Sequence, residues 1–325
     1  MHRRAYLEAL GSLVAAASLA GCSASEPSAA TPTADRTSAA PTRTTRSATR
    51  TDAETNAPTP GDRSLDPYRT WLVAPTPATP DAYAFTHLSL SAVRSDASEA
   101  FAARLDDYWR QRTRSYFGFD VPVDALDAVL TVNHSRVANE SYRVAEGTFD
   151  VGSLRASLAA AGFEADGYVG DVRRFVRTEN GRLRVVGLHP DVLLSIGTEP
   201  TATEPLATAV RQHDAGDYRA RSGGLGRLID HFGAADFVTG RNLDPVDGDY
   251  PLSEAVATGR RLDVRQADTW AERAYVLAPG ATVERAAVEE VIRERHVGQP
   301  IEEYRRDGRV VTVAGTVDTS LIRLL

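Results

Sequence analysis

Two glycine turns constrain this chain more than any other feature. Asn180-Gly181 separates the β-patterned runs 167–178 and 182–188, and Asp307-Gly308 separates 301–306 from 310–317. Asn-Gly and Asp-Gly connections favour the turn whose twist matches that of a hairpin. Strands joined so tightly must pair antiparallel, because a parallel neighbour needs a crossover of a dozen or more residues. Whatever sheet this chain builds is therefore expected to be largely antiparallel.

The remaining elements fit the same frame. Strand patterns cover 83–91, 126–134 and 142–149, and a fourth, 192–196, follows the turn His189-Pro190-Asp191. Residues 97–116 read as a helix, with Phe101, Leu105, Tyr108/Trp109 and Tyr116 recurring near helical spacing. Asp150 caps a helix carrying Leu154 and Leu158 that stops at Gly162. A helix is expected at 203–215. A strand at 270–277 precedes a second capped pattern, 283–295, with Ala287, Val288, Val291 and Ile292 inward and Gly298 at its end. Strand, helix and hairpin thus occur twice, at 142–188 and 270–317. The interval from helix-ending glycine to hairpin is twice as long in the first copy. The reading is an imperfect internal duplication, with two unrelated units of similar order as the alternative. The fold class is α+β, with helices packed on one face of mostly antiparallel sheet.

The first 65 residues follow different rules. Arg3 and Arg4 precede a short apolar run and then small residues, the layout of an export signal. That run is shorter than the ~20 residues a spanning helix needs. The paired arginines, followed by Tyr6 and Leu7, resemble a twin-arginine signal, with His2 and Glu8 as departures. Leu19-Ala20-Gly21-Cys22 resembles a lipobox, which implies cleavage before Cys22 and a lipid on its thiol. Cys22 is the only cysteine, so no disulfide forms within the chain. The Ser, Thr, Ala and Pro of residues 23–65 cannot bury enough surface to offset the entropy of ordering them. They are expected to form a tether with a root-mean-square span of roughly 35 Å, taking about 5–6 Å times the square root of length. The chain then divides into an export signal (1–21), a lipidated cysteine with disordered tether (22–65) and two α+β units (66–220 and 221–325).

Composition excludes more than it assigns. Hydrophobic residues make up 42%, enough for a core, and the net charge is −7. Such a charge disfavours a nucleic-acid partner, and the short run Arg110, Arg112 and Arg114 does not reverse it. All basic residues are arginine. A lysine-free, acidic chain poor in Met and Cys resembles proteins of salt-loving, GC-rich archaea.

No catalytic set is visible. The histidines stand singly, and none forms the paired spacing of a helical metal site. His87 and His134 lie on strands and could face one another, although a satisfied histidine is the plainer reading. His189-Pro190-Asp191 places base beside acid but is first of all a turn. Asp244, Asp247 and Asp249 could supply oxygen ligands to a cation, or simply belong to a solvated loop, since their spacing is not that of an EF-hand. The glycines of Ser222–Arg227 could receive an anion at a helix start or act as a hinge. Tyr108, Trp109, Phe117 and Phe119 form the densest aromatic patch, for core packing or for a ligand groove. Asn133 and Asn139 each begin a glycosylation sequon.

The order of elements, with "EGTFDVGSLRASLAAAGFE" before a hairpin and "YRRDGRVVTVAGTVD" near the end, resembles uncharacterised exported lipoproteins of salt-loving archaea, over residues 83–325. The resemblance implies no activity and no site residues. The expected function is a non-enzymatic, lipid-anchored protein on the outer face of the cell membrane. It would bind a protein or small-molecule partner or support the envelope, without cofactor or metal and without nucleic acid. A solute-binding lipoprotein of a transporter and an exported hydrolase are the alternatives.

Overall fold

In the computed structural model, residues 67–72, 83–134, 141–198, 205–214, 223–243, 252–296 and 298–322 are described, all within one compact unit, Arg63–Leu325. The first half contains β1 (Tyr83–Ser89), α1 (Leu90–Asp96), α2 (Glu99–Phe117), β2 (Leu126–His134) and β3 (Ser141–Gly147). It continues through α3 (Val151–Ala160), β4 (Glu164–Val169), β5 (Val172–Glu179), β6 (Arg182–Leu188), β7 (Val192–Thr198) and α4 (Pro205–Asp214). The second half contains α5 (Gly223–Phe232), β8 (Phe237–Asn242), β9 (Ala255–Val264), β10 (Asp268–Leu277), α6 (Arg285–Arg295), β11 (Glu303–Asp307) and β12 (Val310–Asp318).

All strands join one sheet in the order β11-β12-β10-β9-β8-β1-β2-β3-β7-β6-β5-β4, and every pairing is antiparallel. The expected α+β class with mostly antiparallel pairing is what forms. Each half runs as a three-strand meander, then a helix that crosses to the sheet edge, then strands that return to the third strand. In the first half, α3 leads to β4 at the edge and β7 returns to β3; in the second, α6 leads to β11 and β12 returns to β10. The halves meet where β1 pairs antiparallel with β8. Segments 66–220 and 221–325 therefore lie side by side in a continuous sheet.

The unequal glycine-to-hairpin intervals now have a cause. The run 167–178 was expected as one strand, but the chain turns at Gly170 (φ 58°) and makes β4 and β5 instead. The first half returns through four strands and the second through two. Asn180 (φ 52°) and Gly181 (φ 76°) hold the anticipated β5–β6 turn in the left-handed region that few other residues occupy cheaply.

Local chemistry sets the helices. Ser98 accepts from the Phe101 N–H at the start of α2, and Gly118 (φ 88°) ends it by donating to the Arg114 carbonyl. Between them Phe101, Leu105, Trp109, Thr113 and Phe117, each four residues apart, bury one stripe. The large apolar members contribute roughly 1.5–3 kcal/mol each. Asp150 caps α3 as expected, accepting from Gly152 and Ser153. The strand expected at 83–91 stops at Ser89, whose side chain caps the short α1.

Helices cover both faces, not the single face expected. One core packs α1, α2 and α3 against residues such as Leu88, Val129 and Leu262, and α6 buries Val288, Val291 and Ile292 against Tyr275, Leu277 and Val313. The opposite core packs the 3-10 turn Pro67–Trp71, α4 and α5 against Phe85, Leu130, Val144 and Val276. The cause is visible in β10, where Ala274, Tyr275, Val276 and Leu277 are all fully buried. A strand apolar at successive positions must be covered on both sides. Among the described residues, no helix is long and apolar enough to cross a membrane.

Candidate functional site

Antiparallel pairing lines residues up in rows across the sheet, and two neighbouring rows on the α2 face differ sharply. One reads Ala145, Val129, Leu88, Phe237, Leu262, Ala271 from β3 through β2, β1, β8 and β9 to β10, all buried in a single core. Two residues along each strand, the next row reads Arg143, Thr131, Thr86, Thr239, Arg260, Arg273. About the β1–β8 seam the row matches in the central strands (Thr86, Thr239) and in the third strands (Arg143, Arg273), and differs in the second, where Thr131 on β2 stands opposite Arg260 on β9.

The two ends are treated differently. On the first side α2 closes over Arg143, whose guanidinium lies 4.7 Å from the Tyr116 ring and donates to the Tyr116 carbonyl at 3.0 Å. The corresponding interval of the second half, between β8 and β9, contains no helix among its described residues. A cavity of about 460 Å³ remains there, walled by Tyr108, Trp109, Tyr116 and Phe237, floored by Thr86, Thr131 and Thr239, and reaching Arg260 and Arg273.

Its electrostatics are unbalanced. Arg260 makes no hydrogen bond or ion pair among the described residues, and its buried Nε has no partner. Burial, and then Arg273, bring its pKa down to about 10. His296, at the end of α6, is pushed down to about 3 by burial and by Arg273, Arg241, Arg260 and Arg295. It is therefore a neutral imidazole among cations. Trp109, 1% exposed, keeps a buried Nε1–H without a partner. The cavity thus offers unpaired donors, which favour an acceptor.

A second cavity, about 380 Å³, lies on the opposite face, between Tyr68, His87, Ser89, Asp96, Asp236 and Asp263. His87 is 3% exposed, neither ring nitrogen has a hydrogen-bond partner, and burial lowers its pKa to about 4. Among the described residues its ring neighbour is Tyr68, 4.8 Å away. Burial raises the Asp236 pKa against a hydrogen bond from the Val264 N–H, with Asp263 and Asp96 adding to the rise. Asp263 is itself gripped by Arg261.

The structure separates several residues that the sequence left together. His87 pairs with Leu130 and His134 with Tyr83, so the two histidines do not face each other. His189 and Asp191 form the expected turn, with the Asp191 N–H donating to His189 Nδ1 at 3.3 Å. Gly223 and Gly224 form the start of α5, and Gly224 serves packing: a Cβ there would lie 2.8 Å from Val256. Trp109, Phe117 and Phe119 are core residues, while Tyr108 and Tyr116 join Trp109 on the cavity wall. Asn133 is exposed at the end of β2. Cys22, Arg3, Arg4, the tether, Asn139, Asp244, Asp247 and Asp249 lie outside the described residues. Among the described residues, no three His, Cys, Asp or Glu side chains are placed to hold a metal ion.

Sequence reasoning missed Arg260 because β9 was not read as a strand, and missed Arg273, on a strand that was read, because its pairing with β9 was not visible. The usable signal was Arg260-Arg261 within "VATGRRLDV": in a strand, adjacent arginines point to opposite faces. Arg261 pairs with Asp263 and donates to the Phe232 carbonyl, whereas Arg260 faces the cavity.

No family model and no curated protein matches the chain by sequence. Among solved structures, crystal form III of TP0453 is similar at 11% identity and a TM-score of 0.50, over 77% of this chain and 94% of that one. Crystal form I of the same protein gives 12% identity and a TM-score of 0.47, over 79% and 94%. The first likeness places the arrangement of the sheet and its helices within a known fold.

Proposed function

We propose that this protein is a non-enzymatic, exported lipoprotein, held on the outer face of the membrane by a lipid on Cys22, that binds a ligand in the cavity beside Arg260. The cavity carries the reading. It is concave, apolar on one wall and lined with unpaired donors, which is the make-up of a binding pocket. The lipobox-like Leu19–Cys22 and the Ser/Thr/Pro-rich stretch after it support the anchor and a tether. The composition supports a salt-loving archaeal source.

Expression of Cys22→Ser in a native-like host, followed by fractionation, tests the anchor. Wild type is expected in the membrane pellet and the variant in the soluble or released fraction. A variant retained in the pellet as fully as wild type would contradict lipid attachment at Cys22. A solute-binding role beside a transporter is the second reading, favoured by the volume of the same cavity.

A further inference from the structure

We infer that the cavity takes an organic oxyanion, a carboxylate or phosphate ester on a compact apolar body, with the anion at Arg260 and Arg273 and the body against Tyr108 and Trp109. The inference rests on the reading of this cavity as a binding site and names its ligand class.

Arg260 is the decisive residue. Its charge is half-buried in a protein of net charge −7, yet among the described residues the charged or titratable groups acting on it are Arg273 and the neutral imidazole of His296. Removing a guanidinium from water without a carboxylate partner is unfavourable. An oxyanion that accepts from the guanidinium would supply the missing partner by charge-assisted hydrogen bonds. Trp109 adds an independent sign, since its indole N–H can only donate and is buried without an acceptor. Thr86 and Thr239 extend the polar floor between the two halves. A bare inorganic anion would leave the aromatic wall and most of the 460 Å³ unused. An apolar body uses both.

The full chain carrying Cys22→Ser, which removes any lipid able to enter the cavity, is titrated calorimetrically with 1-naphthyl phosphate, inorganic phosphate and neutral 1-naphthol. Naphthyl phosphate is expected to bind most tightly, and Arg260→Gln to weaken it by roughly tenfold or more. Tyr108→Ala is expected to weaken naphthyl phosphate but not inorganic phosphate. Arg260→Gln should fold at least as well as the parent, because it removes an unpaired charge, and its thermal transition checks this. Equal affinity for naphthol and naphthyl phosphate would leave a binding cavity but overturn the anion. Equal affinity for inorganic phosphate would overturn the apolar body. Binding that Arg260→Gln leaves unchanged would overturn the assignment to Arg260, and no binding by any probe would remove both the inference and the reading beneath it.

Discussion

The two halves of the sheet place an arginine on the third strand of the same meander, Arg143 and Arg273, and among the described residues only Arg143 is closed over by α2. Arg143 on β3 is capped by α2, with a ring beneath it and a carbonyl to receive its N–H. Arg260 and Arg273, on β9 and β10, face a cavity where the second half provides no described helix. Among the described residues, a repeated topology therefore gives a polar row with one end beneath α2 and the other beside a cavity. α1 and α2, inserted between β1 and β2, supply the cover on the first side, and Arg260, standing where the first half has Thr131, adds the unpaired charge on the second.

The largest effect should come from unseating the cover. Leu105, 5% exposed in the middle of the α2 stripe, fixes that helix to the sheet. Leu105→Ala should cost about 2–5 kcal/mol in denaturant unfolding. A loss below about 1 kcal/mol, against that range, would mean that α2 is not what seals the first half.

The opposite face of the same seam gives the next effect. His87, on β1 opposite Val238, is buried and neutral, with its pKa near 4 rather than 6.5. Between those values the unfolded chain binds a proton that the folded chain does not. Stability contributed by the neutral ring is thus full above pH 6.5 and falls as pH drops toward 4. The loss should approach about 3 kcal/mol, at about 1.4 kcal/mol per pKa unit. Asp236, whose pKa is raised by burial, works in the opposite direction. Comparing wild type with His87→Leu across this range isolates the histidine: the variant should lack that part of the acid loss. Parallel curves would show that His87 finds a partner in the folded protein.

Much of the fold was legible because it is written in local chemistry. Asp150, Gly162, Asn180-Gly181 and Gly308 act within a few residues of their own position, so a cap or hairpin can be read without knowing the neighbours. β8 and β9 were not legible. Their interiors carry Gly240 and Gly259, which pair with each other where a Cβ would strike Phe85 or Leu228. Glycines that look like turn residues in sequence here let α5 approach the sheet. The coverage of both faces was equally hidden, since continuous burial in β10 depends on what packs beyond it. The cavity combines residues from α2, β1, β2, β8, β9 and β10, and only their register brings Thr86, Thr239 and Arg260 into one row. The aromatic patch at Tyr108 and Trp109 was the part of the site visible in advance.

The most direct test of this unequal pair is the sign of two matched substitutions. Arg143→Met and Arg260→Met, compared by denaturant midpoint without added anion, remove equal charge from the part of the row beneath α2 and from the part that faces the cavity. Arg143→Met should destabilise by about 1–3 kcal/mol, because it loses the charged hydrogen bond and the ring contact with Tyr116. Arg260→Met should be neutral or stabilising by up to about 1–2 kcal/mol, because a half-buried unpaired charge is replaced by an apolar chain. Opposite signs would establish that one half is closed and the other is built for an anion. Equal destabilisation by both would contradict it.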